Sequence, residues 1–333
     1  MKDQVTAKLQ HNMGNQGYSK LFILLSRYRV AALLAIIAVY AAVFSIIFPG
    51  TFPTYSNFSK VLMSMSVEAF IVVAMTILLI SGEIDLSLGP NMALGGIICG
   101  YLIKFAGMNV VAAAAITLVV SVALGLVNGF IVAKIGVNSF ITTLATGLIF
   151  QGVAVWLAGP GLTDFPPYFQ AFGRQMLLFL QMPVWYVFVI IALFTYFMSN
   201  TRYFRQYYYI GGNVKAAILS GINMPRMKIV AYVLASLLAT FGGIVSAARF
   251  NSAMTAVGSG VELRAITAAV IGGVSFTGGS GSMIGAAVGA LFIALLNNGL
   301  VIAGVAPCWQ NVVTGAILIL AIVADIVLTK KKA

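Results

Sequence analysis

Seven acids, one histidine and two cysteines among 333 residues are a small stock from which to build a reactive centre. A nucleophilic triad needs a histidine beside its nucleophile, and His11 stands alone in a polar amino-terminal arm, where it reads as solvated rather than as a metal ligand. Cys99 and Cys308 make neither a disulfide framework nor a zinc pattern. Gly272-Gly273 and Gly278-Gly279-Ser280-Gly281 have the glycine density of a phosphate loop, but no Gly-Lys-Ser/Thr follows them. Walker-type, nucleophile-elbow, zinc-protease and dinucleotide patterns are all missing from the sequence. The sequence therefore predicts no catalytic residue, no metal site and no cofactor of its own.

The polar residues that remain lie among apolar ones. Ser81-Gly82-Glu83-Ile84-Asp85-Leu86-Ser87-Leu88-Gly89 sets two acids in a turn between apolar blocks. A solvated loop, with Asp85 or Ser87 capping the next helix, accounts for it; a cation site is the alternative and needs a third oxygen-rich partner. Glu68, Asn128, Asn297 and Asn298 fall within apolar segments and are candidates for lining a polar route. An interfacial position for Glu68, and interhelical hydrogen bonding for the asparagines, are the competing explanations. Glu262 and Arg264 are two residues apart, so on a helix they point to different faces and do not pair with each other.

The elements that must position these residues are membrane helices. The chain is 61% apolar and 8% charged, with a mean hydropathy of +1.04, whereas soluble domains carry roughly 25% charged residues. The apolar residues come in blocks. Val30–Phe48 holds no charge, and Asn311–Leu328 holds only Asp325. Roughly 20 such residues span the hydrocarbon core, and a barrel would show alternation that these blocks lack. Gly281, Gly285 and Gly289 form a small-residue seam of the kind that lets membrane helices approach closely. The expected fold is all-α and polytopic, with about ten transmembrane helices near 30–48, 60–80, 87–104, 109–132, 138–158, 183–199, 228–248, 262–276, 282–303 and 308–328. The third and eighth are short or glycine-broken, so each is a half-helix pair or a clean crossing.

Charge placement orients this map. Lys2, Lys8, Lys20, Arg27, Arg29, Lys134, the five basic residues of 200–228 and Lys330–Lys332 put fourteen of nineteen basic residues on the amino-terminal side. Lys60, Lys104, Arg174, Arg249 and Arg264 fall at or near the other. Cytoplasmic loops concentrate Lys and Arg, so both termini are expected in the cytoplasm. The organisation is then a cytoplasmic arm over 1–29, a membrane domain over 30–328 with a cytoplasmic loop at 200–228, and a basic tail at 329–333. The net charge of +12 belongs to these membrane flanks, and no aromatic-basic interleaving points to nucleic acid. Two internal self-matches compete. One aligns Asn128-Gly129 with Asn298-Gly299, an inverted arrangement; the other aligns Glu68 with Glu262 in parallel.

Within the cytoplasmic loop, Gly211-Gly212 breaks what precedes, Asn213 is a good N-cap, and Val214–Ser220 gives two helical turns that Gly221 can close in the left-handed conformation. A capped knob facing the cytoplasm is either a connector lying on the headgroups or a docking element, with Ala216 and Ala217 permitting close approach.

The stretches SGEIDLSLG (81–89), VNSFITTLATG (137–147), GGNVKAAILSGI (211–222), VELRAITAAVIGGVSFTGGSGSMIGAAVGA (261–290) and NNGLVIAGV (297–305) together resemble the membrane permease subunits of bacterial carbohydrate ABC importers, the ribose-type group. The resemblance runs from about Val61 to Leu328, with departures at Glu83, Pro90 and Arg264. It implies a permease subunit in the bacterial inner membrane, paired with a second permease subunit that is a copy or a paralogue. It further implies ABC ATPase subunits that bind the ATP, and a periplasmic sugar-binding protein that delivers a monosaccharide or polyol. By position in the motif, Gly212, Asn213, Ala216, Ala217, Ser220 and Gly221 would form the ATPase-coupling helix. A proton- or sodium-driven transporter using Glu68 or Asp85 is the alternative.

Overall fold

A computed structural model describes residues 29–330; most of the amino-terminal arm, with His11, and the last three residues of the basic tail lie outside the described residues. The helices in chain order are α1 (Arg29–Ile47), α2 (Tyr55–Ile80), α3 (Leu88–Lys104), α4 (Val110–Phe130), α5 (Ser139–Ala158), α6 (Pro167–Arg174), α7 (Met182–Asn200), α8 (Arg202–Gly212), α9 (Val214–Leu219), α10 (Met224–Phe250), α11 (Val261–Ile271), α12 (Met283–Ile302) and α13 (Pro307–Lys330). Four short strands complete the described residues: β1 (Gly161–Thr163), β2 (Met176–Leu177), β3 (Leu180–Gln181) and β4 (Ser252–Met254). The fold is all-α and polytopic. Among the described residues, eight helices are long and apolar enough to cross a membrane: α1, α2, α4 with its terminal π turn (Ile131–Ile135), α5, α7, α10, α12 and α13.

Side-chain caps set many of the helix starts. Thr54, Asn109, Asn138, Thr201, Asn213, Asn223 and Ser282 each accept a hydrogen bond from a first-turn amide of the helix that follows. Thr54 starts α2 five residues earlier than the apolar pattern suggests. Pro225 lies in the first turn of α10, where its missing N–H costs nothing.

α2 is the axis of the molecule, with Phe70–Ile80 almost wholly buried. Around it pack α7, α10, α11 and α12. The outer faces of α1, α5 and α13 carry exposed Leu, Ile, Val and Trp side chains, as a lipid-facing surface requires.

The third and eighth crossings are broken. α11 has 11 residues and rises roughly 16 Å, about half the hydrocarbon thickness. The short strand β4 and the turns over 255–260 cover the rest. α3 likewise follows a non-helical segment at 81–87. Such backbone is tolerated at membrane depth only where protein surrounds it, and these amides find partners. Glu83 N donates to Leu78 O at 2.9 Å, Leu86 N to the Thr143 hydroxyl at 3.0 Å, and Thr255 N to Pro160 O at 3.3 Å.

The two breaks belong to an inverted repeat. In order, α2–α3–α4–α5 correspond to α10–α11–α12–α13, and the second set runs in the opposite direction. The packing repeats as well: α10 lies on α3 and α4, and α2 lies on α11 and α12. α5 against α3 is matched by α13 against α11. This is the register of the Asn128-Gly129 and Asn298-Gly299 match; the parallel pairing of Glu68 with Glu262 has no counterpart in the packing. One face carries the ends of α2, α4, α8 and α11 and the start of α10; it holds Lys134, Arg202, Arg205, Lys215, Arg226 and Lys228 and is here termed the basic face.

The opposite face is closed by 159–182. β1 pairs antiparallel with β4, and α6 seats Gly173 so tightly on α10 that a Cβ there would lie 2.3 Å from Arg249 N. A side chain at 173 would displace backbone.

Candidate functional site

Where the two broken crossings meet, their helix starts touch. A Cβ on Gly89 would lie 2.2 Å from Gly258 O, and one on Gly258 would lie 1.9 Å from Gly89 O, so only glycine fits at either position. Since α11 reaches from here to the basic face, this contact lies about 15 Å deep, near mid-bilayer. Neither α3 nor α11 has a side-chain cap at its start. Beside the contact is a recess of about 580 Å³, bordered by Leu86 and Pro90, by Gln151 of α5, and by Gly258, Ser259 and Glu262.

The segment 81–87 is an internal brace rather than the solvated loop expected from sequence. Glu83, Asp85 and Ser87 are all buried. The Asp85 carboxylate accepts hydrogen bonds from Ser87 N (2.8 Å) and the Ser87 hydroxyl (2.5 Å). Asn128 Nδ2 of α4 donates to the Ser87 hydroxyl at 2.8 Å. Glu83 is ion-paired with Lys228 of α10. The apolar neighbours that suggested a turn are the walls into which this polar cluster is packed. Asp85 thus bonds within its own segment, and no cluster of three metal-ligating side chains occurs among the described residues.

The candidate route residues separate into two groups. Glu68, Asn297 and Asn298 border a second recess of about 410 Å³, between α2, α12 and α13, together with Lys60, Ser64 and Arg264. Asn128 does not join them; it is buried and serves the 81–87 brace, because α4 lies on the other side of α10. Glu68 accepts from Arg264 Nε at 2.8 Å, so the two charges neutralise each other inside the protein. Asn298 exchanges side-chain hydrogen bonds with Asn57 of α2, at 2.7 and 3.1 Å. Asn57, Gln151 and the Glu68–Arg264 pairing were not legible from spacing, since each partner is about 100 or more residues away in sequence.

On the basic face α9 is a six-residue helix. The Asn213 side chain accepts from Ala216 N at 3.0 Å. At the other end Gly221 takes φ +77°, with Gly221 N donating to Ile218 O and Ile222 N to Ala217 O. Val214, Ala216, Ile218, Leu219 and Ser220 are exposed, Leu219 at 88%. Ala217 differs from its sibling: it faces inward and is 2% exposed, so it anchors the helix instead of offering surface.

Glycines join α9 to the end of α2 and to the loop after α11. Gly279 N, in the loop after α11, donates to Ile80 O at the end of α2 at 2.9 Å. Gly211 sits on that bond, where a Cβ would lie 2.0 Å from Ile80 O and 2.5 Å from Gly279 N. Tyr208 of α8 donates to Gly281 O at 3.2 Å. Three chain segments thus meet backbone to backbone directly behind α9.

A family model described as the permease component of a branched-chain amino acid transport system matches residues 57–322. The ribose import permease protein RbsC of Escherichia coli (strain K12) is 36% identical over 317 residues, covering 94% of this chain and 97% of its own length. RbsC of Bacillus subtilis (strain 168) is 34% identical over 273 residues, covering 81% and 84%. The galactose/methyl galactoside import permease protein MglC of Escherichia coli (strain K12) is 32% identical over 297 residues, covering 83% and 88%. No solved structure matches the chain.

Proposed function

We propose, on the premise that this chain belongs to the family of branched-chain amino acid transport system permease components, that it is the membrane subunit of an ABC importer for a monosaccharide or related polyol. Its relatives over most of the chain are import permeases for ribose and for galactose and its methyl glycoside. A neutral polyol suits a membrane interior in which Glu68 pairs with Arg264 and Glu83 with Lys228. The two carboxylates that an ion-driven cycle was expected to use, Glu68 and Asp85, are both already engaged.

The observation that carries the coupling is α9, a capped helix with a bare apolar face on the basic side, tied through Gly211 to the end of α2 and the loop after α11. In this reading the basic face is cytoplasmic, both termini lie there, and ABC ATPase subunits receive α9 in a groove. A second permease subunit completes the pathway, and a binding protein delivers the sugar to the opposite face. ATP is bound and hydrolysed by the partner. Closure of the ATPase pair pushes α9, and the glycine junction passes that push to the ends of α2 and α11.

Leu219→Asp tests the docking. Burying one leucine contributes roughly 1.5–3 kcal/mol, so its loss should weaken ATPase binding about 10- to 100-fold. Co-purification of the ATPase and ATP-driven uptake of labelled D-ribose and D-galactose into vesicles should fall together. Undiminished uptake would remove α9 from the coupling path.

A further inference from the structure

We infer that the mid-membrane recess beside the Gly89–Gly258 contact is a transit site that holds the sugar by its hydroxyl groups, with Glu262, Gln151 and Ser259 as the selecting residues. The inference rests on the reading of the chain as a monosaccharide permease and adds a location and a chemistry to it.

Size and position come first. At ~30 Å³ per water, 580 Å³ holds roughly 19 waters, more than the heavy atoms of one hexose. The recess is also within the range of small-molecule sites. It lies at mid-bilayer between the discontinuous helices of an inverted repeat, where transporter architecture places the substrate because both halves can act on it.

The polar groups suit a neutral polyol. Glu262 borders the recess, and its Oε2 is pressed against Gly89 with no hydrogen-bond donor. A buried carboxylate oxygen without a donor is an unfinished interaction, and rotation of the carboxyl group away from Gly89 lets a sugar hydroxyl finish it. Gln151 Nε2 donates to Thr255 O at 3.2 Å, which fixes the amide and leaves its oxygen to accept from a second hydroxyl. Ser259, exposed on the rim, both donates and accepts. Leu86, Pro90 and Leu148 supply apolar wall for the C–H face of a sugar ring.

The charge balance argues against an anion. The starts of α3 and α11 are positive helix ends without side-chain caps, and alone they would draw a carboxylate. Glu262 already stands between them, so their field is spent on a protein group. A carboxylate ligand would meet repulsion there, and so would the carboxylate of an amino acid. Arg264, whose charge is matched by Glu68 beside the other recess, also donates from Nη1 to Ser259 O at 3.5 Å, so the rim of this one carries a cation already neutralised by a protein carboxylate.

The test uses the complete transporter, assembled with its ATPase and binding protein in proteoliposomes. Ser259→Cys is made with Cys308→Ser, because Cys308 is exposed while Cys99 is buried. Labelling by a methanethiosulfonate reagent is followed during ATP turnover, with and without the transported sugar. Labelling should slow at least threefold when sugar is present. In parallel, Gln151→Leu and Glu262→Gln should change the ratio of D-ribose to D-galactose uptake at least fivefold. Equal labelling rates, with wild-type uptake intact, overturn the site. An unchanged sugar ratio in two well-folded variants does so too. If the wild-type transporter carries neither these sugars nor any other polyol, it is the proposed function that fails.

Discussion

Gly211→Ala is the most informative single methyl group to add to this protein. The new carbon would stand 2.0 Å from Ile80 O, and ordinary contact begins at 3.4 Å, so about 1.4 Å of movement is needed. That movement must come from backbone, since all the obstructing atoms are backbone atoms. It opens the Gly279 N to Ile80 O hydrogen bond, worth about 0.5–1.5 kcal/mol, and adds overpacking of about 1–3 kcal/mol. A loss of roughly 2–4 kcal/mol should lower the thermal midpoint of the detergent-purified protein by several degrees. The neighbouring Gly212→Ala is the control. Its added carbon would come no nearer than 3.8 Å to any surrounding atom, so its midpoint should stay within a degree or so of wild type. The assay pairs differential scanning fluorimetry with ATP-driven sugar uptake and ATPase co-purification. For Gly211→Ala, ATPase binding should persist, because α9 keeps its caps and its exposed face, while uptake falls at least tenfold. If Gly211→Ala and Gly212→Ala transport and melt alike, the glycine junction does not transmit the motion.

Two further outcomes follow from named contacts. Glu68→Met should strand the Arg264 guanidinium inside the membrane domain and destabilise by roughly 3 kcal/mol or more; the double variant Glu68→Met with Arg264→Met should recover most of that loss in the same melting assay. Asn213→Ala removes the only side-chain cap of α9 and should cost about 1 kcal/mol of local helix stability, weakening ATPase binding about fivefold, with Asn213→Asp restoring it.

Much of the architecture was legible in the sequence because membrane helices obey a length rule that composition reveals directly. The apolar blocks gave the spans, and scarce charges gave the basic face. The α9 knob could be read because a cap is a local interaction: Asn213 reaches only to Ala216. Helix ends were harder. The start of α2 is rich in Ser, Asn and Lys, which looks like loop until Asn57 is seen bonded to Asn298 and Lys60 and Ser64 at a recess. Pro225, a residue type that often follows a helix end, is part of the first turn of α10. The site suffered most. The 81–87 segment reads as solvent-exposed because Asn128, which donates to Ser87, and Thr143, which accepts from Leu86 N, come from segments 41 or more residues away and meet it only through the fold. Asn128, Asn297 and Asn298 look alike in sequence, yet one belongs to a brace and two border a recess.

The connectors that lead into the two halves of the repeat are unlike. Phe48–Thr54 joins α1 to α2 as a plain turn, while Thr201–Asn223 joins α7 to α10 and carries α8 and α9. An inverted repeat without that insertion is close to a palindrome: exchanging its halves exchanges the two faces of the membrane, and it has no intrinsic forward or reverse. The insertion is a handle fitted to one end of a reversible device. It makes the halves mechanically unequal and gives an outside engine something to turn. Direction of flow would then be a property of where α9 was placed, and moving that short connector to the other half would, in principle, turn the same machine around.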